Sequence, residues 1–99
     1  MGYTIEFAES VKEHLKNLSA KQHAIVLGAI QKQLMHEPLK ETRNRKPLSP
    51  NPIAPWEIRK GNLRVFYDVA DKESKVVRIL AIGRKEKNKL FIGNKEVKL

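Results

Sequence analysis

The chain has 99 residues, 40% of them hydrophobic, which suits one compact domain over 1–99 and is too short for two. It contains no cysteine, which excludes a disulfide framework, a thiolate metal site and a thiol nucleophile, and fits a reducing cytoplasm. A net charge of +9 is high for this size and points to an acidic partner.

The charge is unevenly placed. Residues 1–37 hold four basic residues (Lys12, Lys16, Lys21, Lys32) and four acidic ones (Glu6, Glu9, Glu13, Glu37), so they sum to zero. The remaining 16 basic and 7 acidic residues, from Pro38 onward, give the whole +9. An anionic polymer or acidic protein meeting the C-terminal part accounts for that asymmetry; a lysine-rich surface that only aids solubility is the alternative.

Tyr3, Ile5 and Phe7 alternate with Thr4 and Glu6, the period of a short half-buried strand. Val11, Leu15 and Leu18 then recur at helical spacing, with Glu9 early and Lys16 late as the helix dipole prefers. Ser19 reads as the N-cap of a second helix over 21–36, with Leu27, Ile30 and Leu34 on one stripe, the two helices forming an antiparallel hairpin. The longest apolar run, AIVLGAI at 24–30, is far below the roughly 20 residues of a membrane span. The start, MGYTIEF, has neither a signal-peptide pattern nor the Ser or Thr of a myristoylation site at position 6, so a cytoplasmic protein is expected.

All five prolines fall between Pro38 and Pro55, so neither a helix nor a central strand is predicted there. This long connection holds Arg43, Arg45 and Lys46, either a functional basic loop or a merely solvated one. Strands are predicted over 56–60, 63–69 and 75–82. Gly61-Asn62 makes a two-residue hairpin turn, which fixes the first register: Lys60 opposes Leu63, Arg59 opposes Arg64, Ile58 opposes Val65, Glu57 opposes Phe66 and Trp56 opposes Tyr67. Alternation then puts Trp56, Ile58, Leu63, Val65, Tyr67 and Val69 on a core face beneath the helices. Glu57, Arg59, Arg64, Phe66 and Asp68 form a polar, charged face.

On that face two arginines stand opposite each other, which is unfavourable unless an anion lies between them. Glu57 neutralises one, and a phosphate would engage both through the guanidinium forks. A weak surface salt-bridge ladder of Glu57, Arg59, Arg64 and Asp68 is the alternative. Arg78 joins this face only in one of two possible registers.

The short strand, helix pair, WEIRKGNLRVFYDV, KVVRILAIG and basic GRKEKNK together resemble the RelE/ParE toxin superfamily of bacterial type II toxin–antitoxin systems over nearly the whole chain. The resemblance implies an α+β fold, two N-terminal helices packed on one face of a small, mainly antiparallel sheet. RelE-like members are ribosome-dependent endoribonucleases: the 2′-hydroxyl of the mRNA attacks the adjacent phosphate. ParE-like members poison DNA gyrase, and both are silenced by a cognate antitoxin. On the RelE-like pattern Arg64 matches the arginine at the scissile phosphate, Glu57 the candidate base, and Arg84 or Lys85 the cation for the transition-state phosphate. Phe91 stands where many members have a tyrosine; it can stack on a base but donates no proton.

The resulting expectation is a catalytic set of Glu57, Arg59, Arg64, Arg84, Lys85 and Phe91, with RNA gripped by Arg43, Arg45, Lys46, Arg78, Lys87 and Lys89. No metal or cofactor is expected; the expected partners are the antitoxin, the ribosome and mRNA, with no membrane. The alternatives are gyrase inhibition and a non-catalytic RNA-binding domain. His14, His23 and His36 fall in the helical half and read as ordinary helix residues.

Overall fold

A computed structural model describes residues 2–35, 37–71 and 73–98; His36 lies outside them. Strand β1 (Thr4–Phe7) leads into helices α1 (Val11–Lys16) and α2 (Ala20–Leu34), followed by β2 (Arg45–Pro47), β3 (Trp56–Lys60), β4 (Leu63–Asp71), β5 (Val76–Glu86), β6 (Lys89–Ile92) and β7 (Lys95–Val97). The sheet runs β2-β3-β4-β5-β6-β7 with antiparallel neighbours, and β1 pairs in parallel with the first part of β5. That parallel pairing needs a crossover, which the helices supply. The α+β architecture expected from the sequence is the one found.

Ser19 is the N-cap of α2 in a full capping box: its Oγ accepts from Gln22 N–H, and Gln22 Oε1 accepts from Ser19 N–H. The β3–β4 register matches all five expected pairs. Only Gly61 of the turn takes a positive φ (+59°), the pattern of a type II′ turn; Asn62 does not.

The main core lies between helices and sheet: Val11, Val26, Ile30 and Leu34 meet Ile58, Leu63, Val65, Tyr67, Val77, Ile79 and Ile82. The stripe on α2 is rotated from the expected one. Ile30 and Leu34 are buried, but Val26 and Ala29 take the place given to Leu27, which is only half-buried and faces Phe7.

Two polar groups fasten the segment after α2 to this core. The Tyr67 hydroxyl donates to the Pro38 carbonyl at 2.6 Å. Burial pushes the phenol's pKa above its ordinary value. Arg45, 7% exposed, donates from Nε to the Lys40 carbonyl at 2.8 Å and from Nη1 to the Gln33 carbonyl near the end of α2. The proline-rich connection therefore contains a short edge strand at Arg45, and that arginine is turned inward.

The opposite face of the sheet is less polar than alternation suggested. Phe66 is fully buried with Ala54, Ala81 and Leu90, flanked by Leu48, Ile53, Leu80, Ile92 and Val97. Residues 48–55 fold back over this cluster, and strands β6 and β7, absent from the sequence reading, close it from the other side. Their hairpin turn begins at Gly93 (φ +63°) and is again Gly-Asn, the dipeptide that marked the first hairpin.

Candidate functional site

The β3–β4 hairpin presents Glu57, Arg59 and Arg64 on the face away from the helices. Glu57 is 4% exposed, and its Oε2 accepts a hydrogen bond from Arg59 Nε at 2.7 Å; the Arg59 side chain itself is half exposed. Arg64, opposite Arg59, bends back to donate from Nη1 to the carbonyls of Gly61 (2.9 Å) and Leu63 (2.8 Å). Partial burial lowers the Arg64 pKa, the nearby Glu57 raises it, and the like charge of Arg59 lowers it again. The guanidinium stays charged at any physiological pH.

Two further strands complete the patch. Lys46 on β2 pairs in register with Glu57 and forms an ion pair with Glu41 at 3.2 Å. On β5, Gly83 opposes Arg64, so Lys85, two residues on, shares the face as a diagonal neighbour of Arg64. Leu90 and Val97 continue that row, and with Lys89 and Lys98 they line a concavity of about 310 Å³ beside Lys85.

Arg84 and Phe91 lie elsewhere. Leu63, a helix-side core residue, pairs with Arg84, and Arg84 pairs with Phe91, so both side chains belong to the helix face. There Arg84 stacks over the Phe91 ring at 5.4 Å, pairs with Glu86 at 2.9 Å and reaches toward the Gly93 carbonyl. A side chain at Gly93 would touch His14 and Asn17 of the first helical segment, which marks how close that end of the sheet comes to it. The six residues expected in one catalytic set thus divide, Glu57, Arg59, Arg64 and Lys85 on one face and Arg84 with Phe91 on the other.

Of the residues expected to grip RNA, Arg45 is buried and engaged with backbone carbonyls, whereas Arg43, Lys87 and Lys89 are exposed. Lys87 (φ +51°) and Asn88 (φ +67°) form the tight turn between β5 and β6. Arg78 shares the Arg64 face, opposite Asp68, but is ion-paired with Glu6 at 3.2 Å. It sits roughly 13 Å from Arg64 at about 3.3 Å per residue of strand.

Among the described residues, no imidazole or phenol reaches this face. His14 Nδ1 accepts from the Ile82 N–H at 3.2 Å; burial lowers the His14 pKa, more than the nearby Glu13 raises it. Tyr67 lies on the helix face, and Tyr3 packs on the same core. Among the described residues, the titratable groups on the charged face are therefore carboxylates, ammonium and guanidinium groups. Among the described residues no helix is long and apolar enough to cross a membrane.

Residues 5–89 match the family described as ParE toxin of type II toxin-antitoxin system, parDE. The fold superposes on a chain of the toxin–antitoxin complex RelBE2 from Mycobacterium tuberculosis with a TM-score of 0.72 and 28% sequence identity, covering 86% of this chain and 100% of that one. No curated protein sequence matches the chain. The match spans most of the chain and agrees with the helix-on-sheet fold: the protein belongs to the ParE toxin family of the RelE/ParE superfamily and is a toxin of a type II toxin–antitoxin system.

Proposed function

We propose that this toxin is a ribosome-dependent endoribonuclease acting on mRNA through the face that carries Arg59, Arg64 and Lys85. The observation behind the reading is that three cations from three adjacent strands, Arg59, Arg64 and Lys85, share a face with one carboxylate, Glu57, which only Arg59 engages, so that a surplus of positive charge is left for a phosphate. Arg64 and Lys85 hold the scissile phosphate and the charge that develops on it. Arg59, drawn to the same phosphate, uncovers Glu57, which takes the 2′-hydroxyl proton. The 2′-oxygen–phosphorus bond forms, the bond to the 5′-oxygen breaks, and a proton from Lys85 completes the leaving hydroxyl. The products are a 2′,3′-cyclic phosphate and a 5′-hydroxyl end. Arg84 and Phe91 have no part in this chemistry from their side of the sheet.

The relative of known structure is a complex with its antitoxin, and the same arrangement is proposed here: a cognate antitoxin silences the toxin in the cytoplasm. Gyrase inhibition is the second reading, favoured by the burial of Glu57, since an inhibitor acting by contact alone needs no accessible base. The test is to induce the protein in bacteria and map mRNA 5′ ends by primer extension for wild type, Glu57→Gln and Arg64→Ala. New ends in wild type that vanish in both variants support cleavage. Growth arrest without new ends, accompanied by DNA-damage signalling, overturns it in favour of gyrase.

A further inference from the structure

The proline-rich residues 48–55 do more than cover Phe66. They wall a cavity of about 420 Å³ on the same face as Arg64, with Pro50, Pro52, Pro55, Ile53 and Leu80 supplying apolar surface and Asp68 the only charged group lining it among the described residues. That volume is within the range of small-ligand sites.

The wall is preorganised by one side chain. Asn51 Oδ1 accepts from the N–H groups of Ile53 (2.8 Å) and Ala54 (3.0 Å), while its Nδ2 donates to the carbonyls of Ser49 and Ala54, both at 2.8 Å. Leu48 N–H donates to the Pro55 carbonyl at 2.8 Å and closes the loop at its base. A loop fixed in this way loses little conformational freedom when a ligand enters.

Asp68 is the polar handle. Its cross-strand neighbour Arg78 is committed to Glu6, and among the described residues no donor is hydrogen-bonded or ion-paired to the Asp68 carboxylate. An open, proline-lined concavity with a free two-oxygen acceptor at its side suits a planar ring that offers two adjacent N–H donors. Among the nucleobases guanine does so, through N1–H and its exocyclic amine; adenine and cytosine offer only the amine on that edge. Asp68 lies four residues along β4 from Arg64, roughly 13 Å at about 3.3 Å per residue, which an extended single strand spans in a few nucleotides.

We infer that this cavity is a base-reading subsite that takes a guanine of the bound RNA, with Asp68 accepting from its Watson–Crick edge and the 48–55 loop stacking on its plane. The inference rests on the RNA reading of the neighbouring cationic face but is tested without it. The full chain, labelled for amide NMR, is titrated with guanosine, inosine and adenosine 5′-monophosphates. Guanosine monophosphate is expected to shift the amides of Asn51, Ala54, Asp68 and Leu80. It should bind about tenfold or more tightly than inosine monophosphate, which lacks the exocyclic amine, or adenosine monophosphate. Asp68→Asn, its fold checked by the same spectrum, should erase that preference. Equal affinity for the three nucleotides, or shifts confined to Arg59, Arg64 and Lys85, overturns the inference. If mRNA cleavage is found but the cavity ignores the nucleotide, the subsite falls alone. If guanosine monophosphate docks beside Asp68 and no cleavage occurs, the subsite stands and the nuclease reading falls.

Discussion

Replacing Gly83 by alanine tests the closure of the sheet behind the cationic face. Gly83 has an ordinary negative-φ backbone, so on conformational grounds alone alanine would stabilise the chain by about 0.4–1 kcal/mol. The surroundings reverse that sign. A methyl carbon here would press into the Phe91 carbonyl oxygen and come within 2.9 Å of Ile92 Cγ1. The offending oxygen is backbone in β6, so relief requires moving the strand that seats Leu90 against Phe66 and Ala81. Overpacking of this kind costs about 1–3 kcal/mol, and a clash with backbone belongs at the upper end. The net expected loss is about 2 kcal/mol. With a urea m-value of about 1.5 kcal/mol/M, the unfolding midpoint falls by roughly 1.3 M. Gly28→Ala is the control: nothing lies within 4 Å of the added carbon on the exposed face of α2, so the same change there should raise stability by about 0.5–1 kcal/mol. A Gly83→Ala midpoint equal to or above wild type would refute the reasoning about how β6 meets β5.

Tyr67→Phe keeps the buried ring but leaves the Pro38 carbonyl without its donor, and should cost about 1–2 kcal/mol in urea melts. Arg45→Ala should destabilise the fold through the Gln33 and Lys40 carbonyls, whereas Arg43→Ala, at an exposed site, should leave the melt unchanged and weaken RNA binding in a filter assay. The folded-state pKa of His14 is lowered, so both states are neutral above about pH 6.5 and stability is fully present there; as pH falls through that value the unfolded chain takes the proton first and stability declines. A His14→Gln variant melted across the same pH range should lack that part of the decline.

What the sequence revealed was local. Gly61-Asn62 and a two-residue alternation are enough to place Trp56 to Tyr67, and the register follows in every pair. The capping serine at 19 is legible for the same reason, since its partner Gln22 lies within one turn. The errors come from contacts distant in the chain. Phe66 alternates with charges and so reads as exposed; only the return of residues 48–55 buries it. Arg45 sits among basic loop residues and reads as a surface cation, but the carbonyls that hold it belong to the end of α2 and to Lys40. For Arg84 and Phe91, counting along the chain from Gly83 gave positions but not faces. The β5–β6 turn at Lys87–Asn88 pairs Arg84 with Phe91, and the alternation running from Leu63 turns both toward the helices.

The charge asymmetry also has a spatial meaning that composition could not supply. The turn at Gly61-Asn62 and the turn at Lys87–Asn88 lie at the same end of the sheet, because Leu63 pairs with Arg84 and Lys85 N–H donates to the Asn62 carbonyl. Arg64, Lys85, Lys87 and Lys89 gather there and form no ion pair among the described residues. Farther along β4 and β5 the balance shifts: Arg78 is neutralised by Glu6, and Asp68 stands free. On the proposed RNA reading, a polyanion approaching this face would be drawn to the basic end and meet a carboxylate at the other, which repels phosphate and can accept from N–H donors. On that reading the gradient would orient a nucleotide chain with its backbone at Arg64 and a base at Asp68, and it arises because a single strand, β4, carries both groups on one face.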